Sequence, residues 1–100
     1  IKTPKNPIAL QEIIASLLIQ GQAEIMEIIA SNDMKLANTP LKNVKLPDGV
    51  LIAAIHRGAE VIIPNGDTRI RENDKVTIFC LLSEVGELEK LMTEKKSFIM

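Results

Sequence analysis

Two short apolar runs, each enclosed by turn-forming residues, constrain the fold of this chain more than any other feature. Val50–Ile55 is continuous and apolar, and Val76–Leu82 is a second run that is apolar except for Thr77. Runs of this length between turn signals are typical of strands that are buried on both faces. The sequence therefore predicts a sheet to which both runs contribute.

The segments around these runs predict how the chain turns between strands. Pro47–Gly49 combines a fixed φ, an Asx hydrogen bond and a glycine that tolerates positive φ. Arg57–Glu60 is short enough to join the first run to Val61–Ile63 as a hairpin. Pro64–Asp67 and Glu72–Lys75 then predict two further turns before the last strand.

The first third of the chain predicts one clear helix. Asn6 is a suitable N-cap, Pro7 a suitable first helical residue, and Gly21 a suitable end. One apolar face follows helical spacing and consists of Leu10, Ile13, Ile14, Leu17 and Leu18. The spacing favours packing on the domain's own sheet and packing on a partner equally. Ala23–Ala30 is interpreted as a strand, although its Glu, Met and Ala residues leave a helix open.

Two more helices complete the predicted order. Thr39 and Pro40 predict the start of a helix of one to two turns, with Leu41 and Val44 facing the core. Ser83 predicts the cap of a final amphipathic helix, whose apolar face consists of Val85, Leu88, Leu91 and Met92. The order is α-β-α-β-β-β-α, which indicates an α+β fold with helices packed on a small, mostly antiparallel sheet.

Composition excludes several functions. The 100 residues include 12 basic and 13 acidic side chains, a net charge of −1, and only two aromatic residues. Nucleic-acid binding requires clustered cations and often aromatic stacking platforms, so we expect no nucleic-acid partner. No apolar run is long enough to span a bilayer, and no signal-peptide pattern is present, so we expect no membrane insertion.

The residues that could carry catalysis do not form a set. His56 is the only histidine and follows an apolar strand, where it is more simply a polar residue at a hairpin edge. Cys80 lies inside an apolar strand, where a thiol is core rather than nucleophile. Glu60, Asp67 and Asp74 fall in turns, where carboxylates cap backbone donors or stay solvated. We therefore predict no enzyme activity, no catalytic residue and no metal site.

The segment from Leu46 to Met92 carries a combined pattern that is specific, within a resemblance that covers about Ala23 to Met92. Ile52–Gly58 reads I-A-A-I-x-R-G, Ile62–Thr68 reads I-I-P-x-G-D-T, and Ile70–Val76 reads I-x-x-x-D-x-V. Together with Leu36–Val44, these motifs resemble the C-terminal TrkA-type domain, also called RCK-C. Asn38 and Asn73 stand where that family usually has glycine. Asn tolerates positive φ better than the other non-glycine residues, so the family fold is still expected.

The resemblance implies a function that composition does not reveal. RCK-C domains occur in the peripheral cytoplasmic subunits of potassium uptake systems, such as TrkA, where they dimerise and in some cases bind cyclic di-AMP in the dimer cleft. It implies a homodimer at the cytoplasmic face of the membrane, a membrane potassium transporter as partner, and no cofactor in this chain. NAD or ATP is expected only in an upstream nucleotide-binding domain. A purely structural dimerisation module and a domain from another cation or anion transporter remain alternatives.

The resemblance also implies boundaries and a ligand site. Residues 1–22 would be a linker and connecting helix, 23–93 the regulatory domain, and 94–100 a tail. The cleft between the short helix and the strand after it would bind the ligand. The expected ligand-binding residues are Leu41, Asn43, Val44, Ile52, Ala54, Arg57 and Pro64.

Overall fold

The computed structural model describes the backbone of residues 7–93 and the side chains of residues 11–92. The predicted Asn6 cap, the linker before it, the side chain of Leu10 and the tail 94–100 lie outside the described residues. Four strands form one antiparallel sheet in the order β1-β4-β2-β3: β1 (Ala23–Ile29), β2 (Val50–Arg57), β3 (Glu60–Ile62) and β4 (Lys75–Leu81). Helix α1 (Pro7–Ile19) precedes the sheet and helix α2 (Val85–Thr93) follows it. The predicted α+β class is confirmed.

The ambiguous segment Ala23–Ala30 is a strand. All seven residues of β1 pair with β4, from Ala23 opposite Leu81 to Ile29 opposite Lys75. Met26 and Ile28 pack against the core from this strand. Pairing with a neighbouring strand and burial of one face thus override the weak strand propensity of Glu and Met.

The core lies on one face of the sheet. Ile52 and Ile55 of β2 stand opposite Ile78 and Val76 of β4, and all four are buried. Leu88 of α2 and residues from the connecting segments, among them Leu36 and Ile70, complete this core. Helix α2 therefore covers the same face as the connection between β1 and β2.

A register shift in β2 brings the two buried isoleucines to one face. Residues two apart share a face of a strand, so Ile52 and Ile55 would normally point in opposite directions. The shift lies between Ile52 and Ala54, and it makes exposed Ala53 the extra residue of a β-bulge. The sequence predicts a strand buried on both faces, but only Ile52 and Ile55, on one face, are buried, while Leu51 and Ala54 on the other face are half-buried.

The end of α1 follows the prediction for Gly21. Gly21 has a φ of 70°, its N–H donates to the Leu18 carbonyl at 3.2 Å, and the Gln22 N–H donates to the Leu17 carbonyl at 3.0 Å. These two bonds form a Schellman motif, which glycine favours because it lacks a Cβ. Of the predicted apolar face, Ile14, Leu17 and Leu18 are half-buried and Ile13 is exposed.

Two predicted helix starts are wrong in detail. The segment after Pro40 forms only a single 3-10 turn (Leu41–Asn43), and Thr39 provides no side-chain cap for it. Ser83 does not cap α2, because it lies inside a second 3-10 turn (Leu82–Glu84) that leads directly into the helix. Leu41 and Val44 nevertheless pack against the core, as predicted.

The two asparagines that replace family glycines take the backbone conformation expected of them. Asn38 has a φ of 66° and Asn73 a φ of 70°. Asn38 donates its N–H to the Ile70 carbonyl at 2.7 Å, and Asn73 donates to the Ala30 carbonyl at 2.9 Å. The positive φ thus directs each N–H to a neighbouring segment of the fold.

Candidate functional site

A groove lies beside the half of β2 that has a strand neighbour on one side only. β3 pairs with β2 only at Ile55, His56 and Arg57. Along Val50–Ile52, no strand within residues 7–93 pairs with β2 on its β3 side. Backbone hydrogen-bonding groups at such an edge are available to a ligand or another chain.

Two turns form the walls of this groove and are bonded to each other. The Leu41 N–H donates to the Thr68 carbonyl at 2.9 Å, and the Lys42 N–H donates to the Gly66 carbonyl at 2.9 Å. The groove is shallow, with a volume of about 240 Å³. It is lined by Leu41, Lys42, Leu46, Val50, Leu51, Ile52, Pro64, Asn65 and Gly66. Its floor is apolar, and its polar groups lie at the rim.

The turn that follows Pro64 is fixed by its own side chains. The Asn65 carboxamide oxygen accepts the Asp67 N–H at 2.8 Å, which forms an Asx turn. The Thr68 hydroxyl accepts the Asn65 N–H at 2.9 Å. The motif Pro64–Thr68 therefore shapes one wall of the groove through its own side chains, and the bonds from Leu41 and Lys42 attach it to the other wall.

Lys42 is the only charged side chain among the residues that line the groove. Its Nζ donates to Asp67 Oδ1 at 2.8 Å, although the two side chains are 59% and 82% exposed. The stem of Lys42 lies over Gly66, where an added Cβ would stand 3.3 Å from the Lys42 Cβ. Gly66 thus allows Lys42 to lie close to the turn, and Asp67 holds its ammonium at the rim.

The structure brings together three of the seven predicted ligand-binding residues. Leu41, Ile52 and Pro64 line the groove. The other four lie elsewhere: Asn43 is exposed, Val44 packs on the core, Ala54 stands opposite Thr77 on the other face of the sheet, and Arg57 lies at the end of β2. Lys42, Leu46, Val50, Leu51, Asn65 and Gly66 also line the groove and were not predicted. Strand spacing does not indicate Leu51, because adjacent residues of a strand face opposite sides of the sheet, and it does not indicate Lys42.

Arg57 forms a bidentate ion pair with the buried Asp74. Its Nε and Nη2 donate to the two carboxylate oxygens at 2.9 and 2.7 Å, and Nη2 also donates to the Arg69 carbonyl at 2.9 Å. Asp74 is 1% exposed and additionally accepts the Arg71 N–H at 2.8 Å. The hydrogen bond from Arg57 keeps the pKa of Asp74 below its usual value, against the opposing effect of burial, and raises the pKa of Arg57 in turn. This pair links the end of β2 to the turn before β4.

His56 and Cys80 lie where the sequence predicts them. His56 is exposed at the hairpin end, opposite Val61 and Lys75. Cys80 is fully buried, and burial together with the nearby charges of Glu24 and Glu84 raises the pKa of its thiol. A raised pKa lowers the thiolate fraction and with it the reactivity of the sulfur. Within the described residues, no three His, Cys, Asp or Glu side chains cluster so that they could hold a metal ion.

Comparison with protein families assigns the fold. The family model of the TrkA-C domain matches residues 25–93.

The chain belongs to the TrkA-C domain family.

Its relatives are proteins named for potassium uptake. Trk system potassium uptake protein TrkA homolog 1 of Methanosarcina mazei is 45% identical over 73 residues, which are 72% of this chain and 16% of that protein. The TrkA homolog of Pyrococcus abyssi is 33% identical over 81 residues, which are 80% of this chain and 36% of that protein. The TrkA-C domain described here thus spans much less than half the length of either relative.

Two solved structures share the fold of this TrkA-C domain. One is described as an RCK domain with cda, with a TM-score of 0.55 and 29% identity over 67% of this chain and 96% of that chain. The other is the RCK C domain of the potassium transport protein KtrA in complex with cyclic diadenosine monophosphate. It has a TM-score of 0.59 and 24% identity over 80% of this chain and 95% of that chain, a likeness of fold alone. No helix within residues 7–93 has the length and apolar character needed to cross a membrane.

Proposed function

We propose that this TrkA-C domain is the regulatory domain of a potassium uptake subunit and that it senses cyclic di-adenosine monophosphate in the groove beside β2. The observation that carries the proposal is an apolar groove along an open strand edge, in a chain whose relatives are named as potassium uptake proteins. The structure described as an RCK domain with cda, at 29% identity, supports this choice of ligand.

The groove provides the two kinds of contact that a nucleobase needs. The half-buried side chains of Val50 and Leu51 supply most of the apolar surface for the base, since Ile52, which also lines the groove, is only 7% exposed. Because the Val50 N–H already donates to the Pro47 carbonyl at 3.2 Å, the edge of the base would bind the remaining backbone groups of the open edge. Leu41 and Pro64 border this surface from the two walls. Asn43, Val44, Ala54 and Arg57 are part of the proposed site on the strength of the family resemblance alone.

A homodimer is the second part of the proposal. Large apolar side chains are exposed on both edge strands and on α1, among them Ile25, Ile29, Val61 and Ile19. Exposed apolar surface of this kind is usually buried in an interface between chains, and two-fold dimers are the commonest closed assembly. Cyclic di-adenosine monophosphate consists of two identical halves, so one groove from each copy would match one half of the ligand.

The regulatory role also requires partners outside this chain. We propose an upstream nucleotide-binding domain, which would hold any NAD or ATP, and a membrane potassium transporter at whose cytoplasmic side the subunit acts. The relatives, which are much longer than this chain, support such additional parts. The domain itself is proposed to act without catalysis.

Calorimetry tests ligand sensing. Titration of the wild-type domain with cyclic di-adenosine monophosphate is expected to show saturable binding, and Leu51→Gln is expected to weaken it about tenfold by placing a polar group in the apolar floor. Leu82→Gln is the matched control, because Leu82 is a 48% exposed apolar residue in the 3-10 turn before α2 and does not line the groove. Equal weakening in both variants, or no heat with the wild type, would contradict the proposed site.

Sedimentation tests the dimer separately. We expect the wild-type domain to sediment as a dimer at micromolar concentrations, with or without the nucleotide. A dimer that binds no nucleotide would support the structural alternative, a dimerisation module without a ligand. A clean monomer in both conditions would contradict dimerisation in either form.

A further inference from the structure

We infer that Lys42 is the residue that recognises the anionic part of the groove's ligand, and that Asp67 acts as a built-in competitor for its ammonium. This inference rests on the proposed function, because it concerns the ligand of the same groove. It adds the ligand class that the rim selects: a nucleotide with a phosphate at the mouth of the groove, in preference to a neutral nucleoside.

The position of Lys42 supports this role. The groove's floor is apolar, and the ammonium of Lys42 is the one charge that the lining residues offer. The Lys42 N–H is bonded to the Gly66 carbonyl, and its stem lies over the Cα of that glycine. The backbone and the first side-chain carbons of Lys42 are therefore fixed, while its exposed ammonium is free to change partner.

The pair with Asp67 is of the kind that a ligand can replace. Both side chains are largely exposed, at 59% and 82%, so their attraction is weakened by water and salt. A phosphate over the groove would offer the ammonium a second anion of at least equal charge. The ammonium would then leave Asp67 Oδ1 for a phosphate oxygen, and the carboxylate would be solvated.

This exchange predicts effects of opposite sign for the two residues. Lys42→Ala should weaken binding of cyclic di-adenosine monophosphate about fivefold for each phosphate contacted, since exposed pairs contribute up to about 1 kcal/mol. Asp67→Asn should strengthen binding about twofold, because it removes the competing charge. If the pair served only to hold the two walls together, both substitutions would weaken binding.

The control for charge removal is a second lysine that is also exposed and also paired with a carboxylate. Lys90 is 60% exposed and pairs with Glu87 at 3.3 Å on α2, away from the groove. Lys90→Ala should leave the affinity unchanged. Thermal melting of all variants should show that each remains folded, because the substituted side chains are at the surface.

The experiment is calorimetric titration of the four proteins with cyclic di-adenosine monophosphate at low and high salt. Opposite shifts for Lys42→Ala and Asp67→Asn, with a difference that shrinks at high salt, support the inference. Wild-type binding that neither substitution changes, or that both weaken, overturns it while the proposed function stands. Absence of wild-type binding overturns both together.

Discussion

Two ion pairs near the β2–β3 hairpin have nearly the same short distance, yet one contains a buried carboxylate and the other an exposed one. Arg57 and Asp74 are joined at 2.7 Å with Asp74 only 1% exposed, whereas Lys42 and Asp67 are joined at 2.8 Å with Asp67 82% exposed. A carboxylate taken out of water must keep its partner, while one in water can exchange it. The first pair therefore stabilises the fold, and the second is available to a ligand.

Removal of the buried carboxylate should have the largest effect. Asp74→Ala leaves the Arg57 guanidinium and the Arg71 N–H without their acceptor, and we expect a loss of about 3–5 kcal/mol in the free energy of unfolding. Urea denaturation followed by circular dichroism measures this. Asp67→Ala is the matched control, with an expected loss below about 0.5 kcal/mol. Similar losses in the two variants would contradict the distinction between the pairs.

Acidification should have the second-largest effect on stability, and it should act through the same ion pair of Arg57 and Asp74. The pKa of Asp74 is lowered in the folded state by the hydrogen bond from Arg57, so the folded protein binds this proton less readily than the unfolded chain. The resulting stabilisation is fully present above the unfolded pKa of about 3.9 and is lost as pH falls through the lower folded value. Urea midpoints measured from neutral to acid pH should fall more steeply in the wild type than in Asp74→Asn. Parallel curves would show that another carboxylate dominates.

A conservative change at Arg57 should have an intermediate effect. Arg57→Lys keeps the charge but loses the two parallel bonds from Nε and Nη2 and the bond to the Arg69 carbonyl. We expect a loss of about 1–2 kcal/mol in the free energy of unfolding. The matched change Lys42→Arg should leave stability within about 0.5 kcal/mol of the wild type. If Arg57→Lys left the free energy of unfolding unchanged, the positive charge alone would be sufficient to hold the turn.

Stability should change least when the exposed pair is removed. Lys42→Ala is expected to lower the free energy of unfolding by less than about 0.5 kcal/mol, since exposed pairs contribute little. The same denaturation series measures it. A loss above 1 kcal/mol would assign Lys42 a structural role comparable to that of Arg57 and would leave the two pairs no longer distinct.

The local features of the fold are the ones that sequence predicts well. The Asx turn at Asn65–Asp67 and the hairpin at Arg57–Glu60 each depend on residues within a few positions. The same holds for the end of α1 at Gly21. Such features are determined by neighbouring residues, so sequence pattern and residue propensity are sufficient to predict them.

The missed features depend on residues that are distant in the chain. Arg57 and Asp74 are 17 residues apart, and Lys42 and Asp67 are 25 apart, so nothing in either local pattern indicates the partner. The Ala53 bulge is hidden because an unbroken apolar run contains no glycine to mark it. The predicted Ser83 cap is wrong because the chain first makes a 3-10 turn at Leu82–Glu84, which residue preference does not predict.

The bulge in β2 has a consequence for how members of this family are aligned. Ile52 and Ala54 face consecutive residues of β4, Ile78 and Thr77, so Ala53 has no counterpart there. A homologue with one alanine instead of two could keep every paired residue on its present face, with a regular ladder in place of the bulge. A single-residue gap at this point would therefore be structurally silent, whereas the same gap at Ile55 would exchange inward and outward positions along the strand.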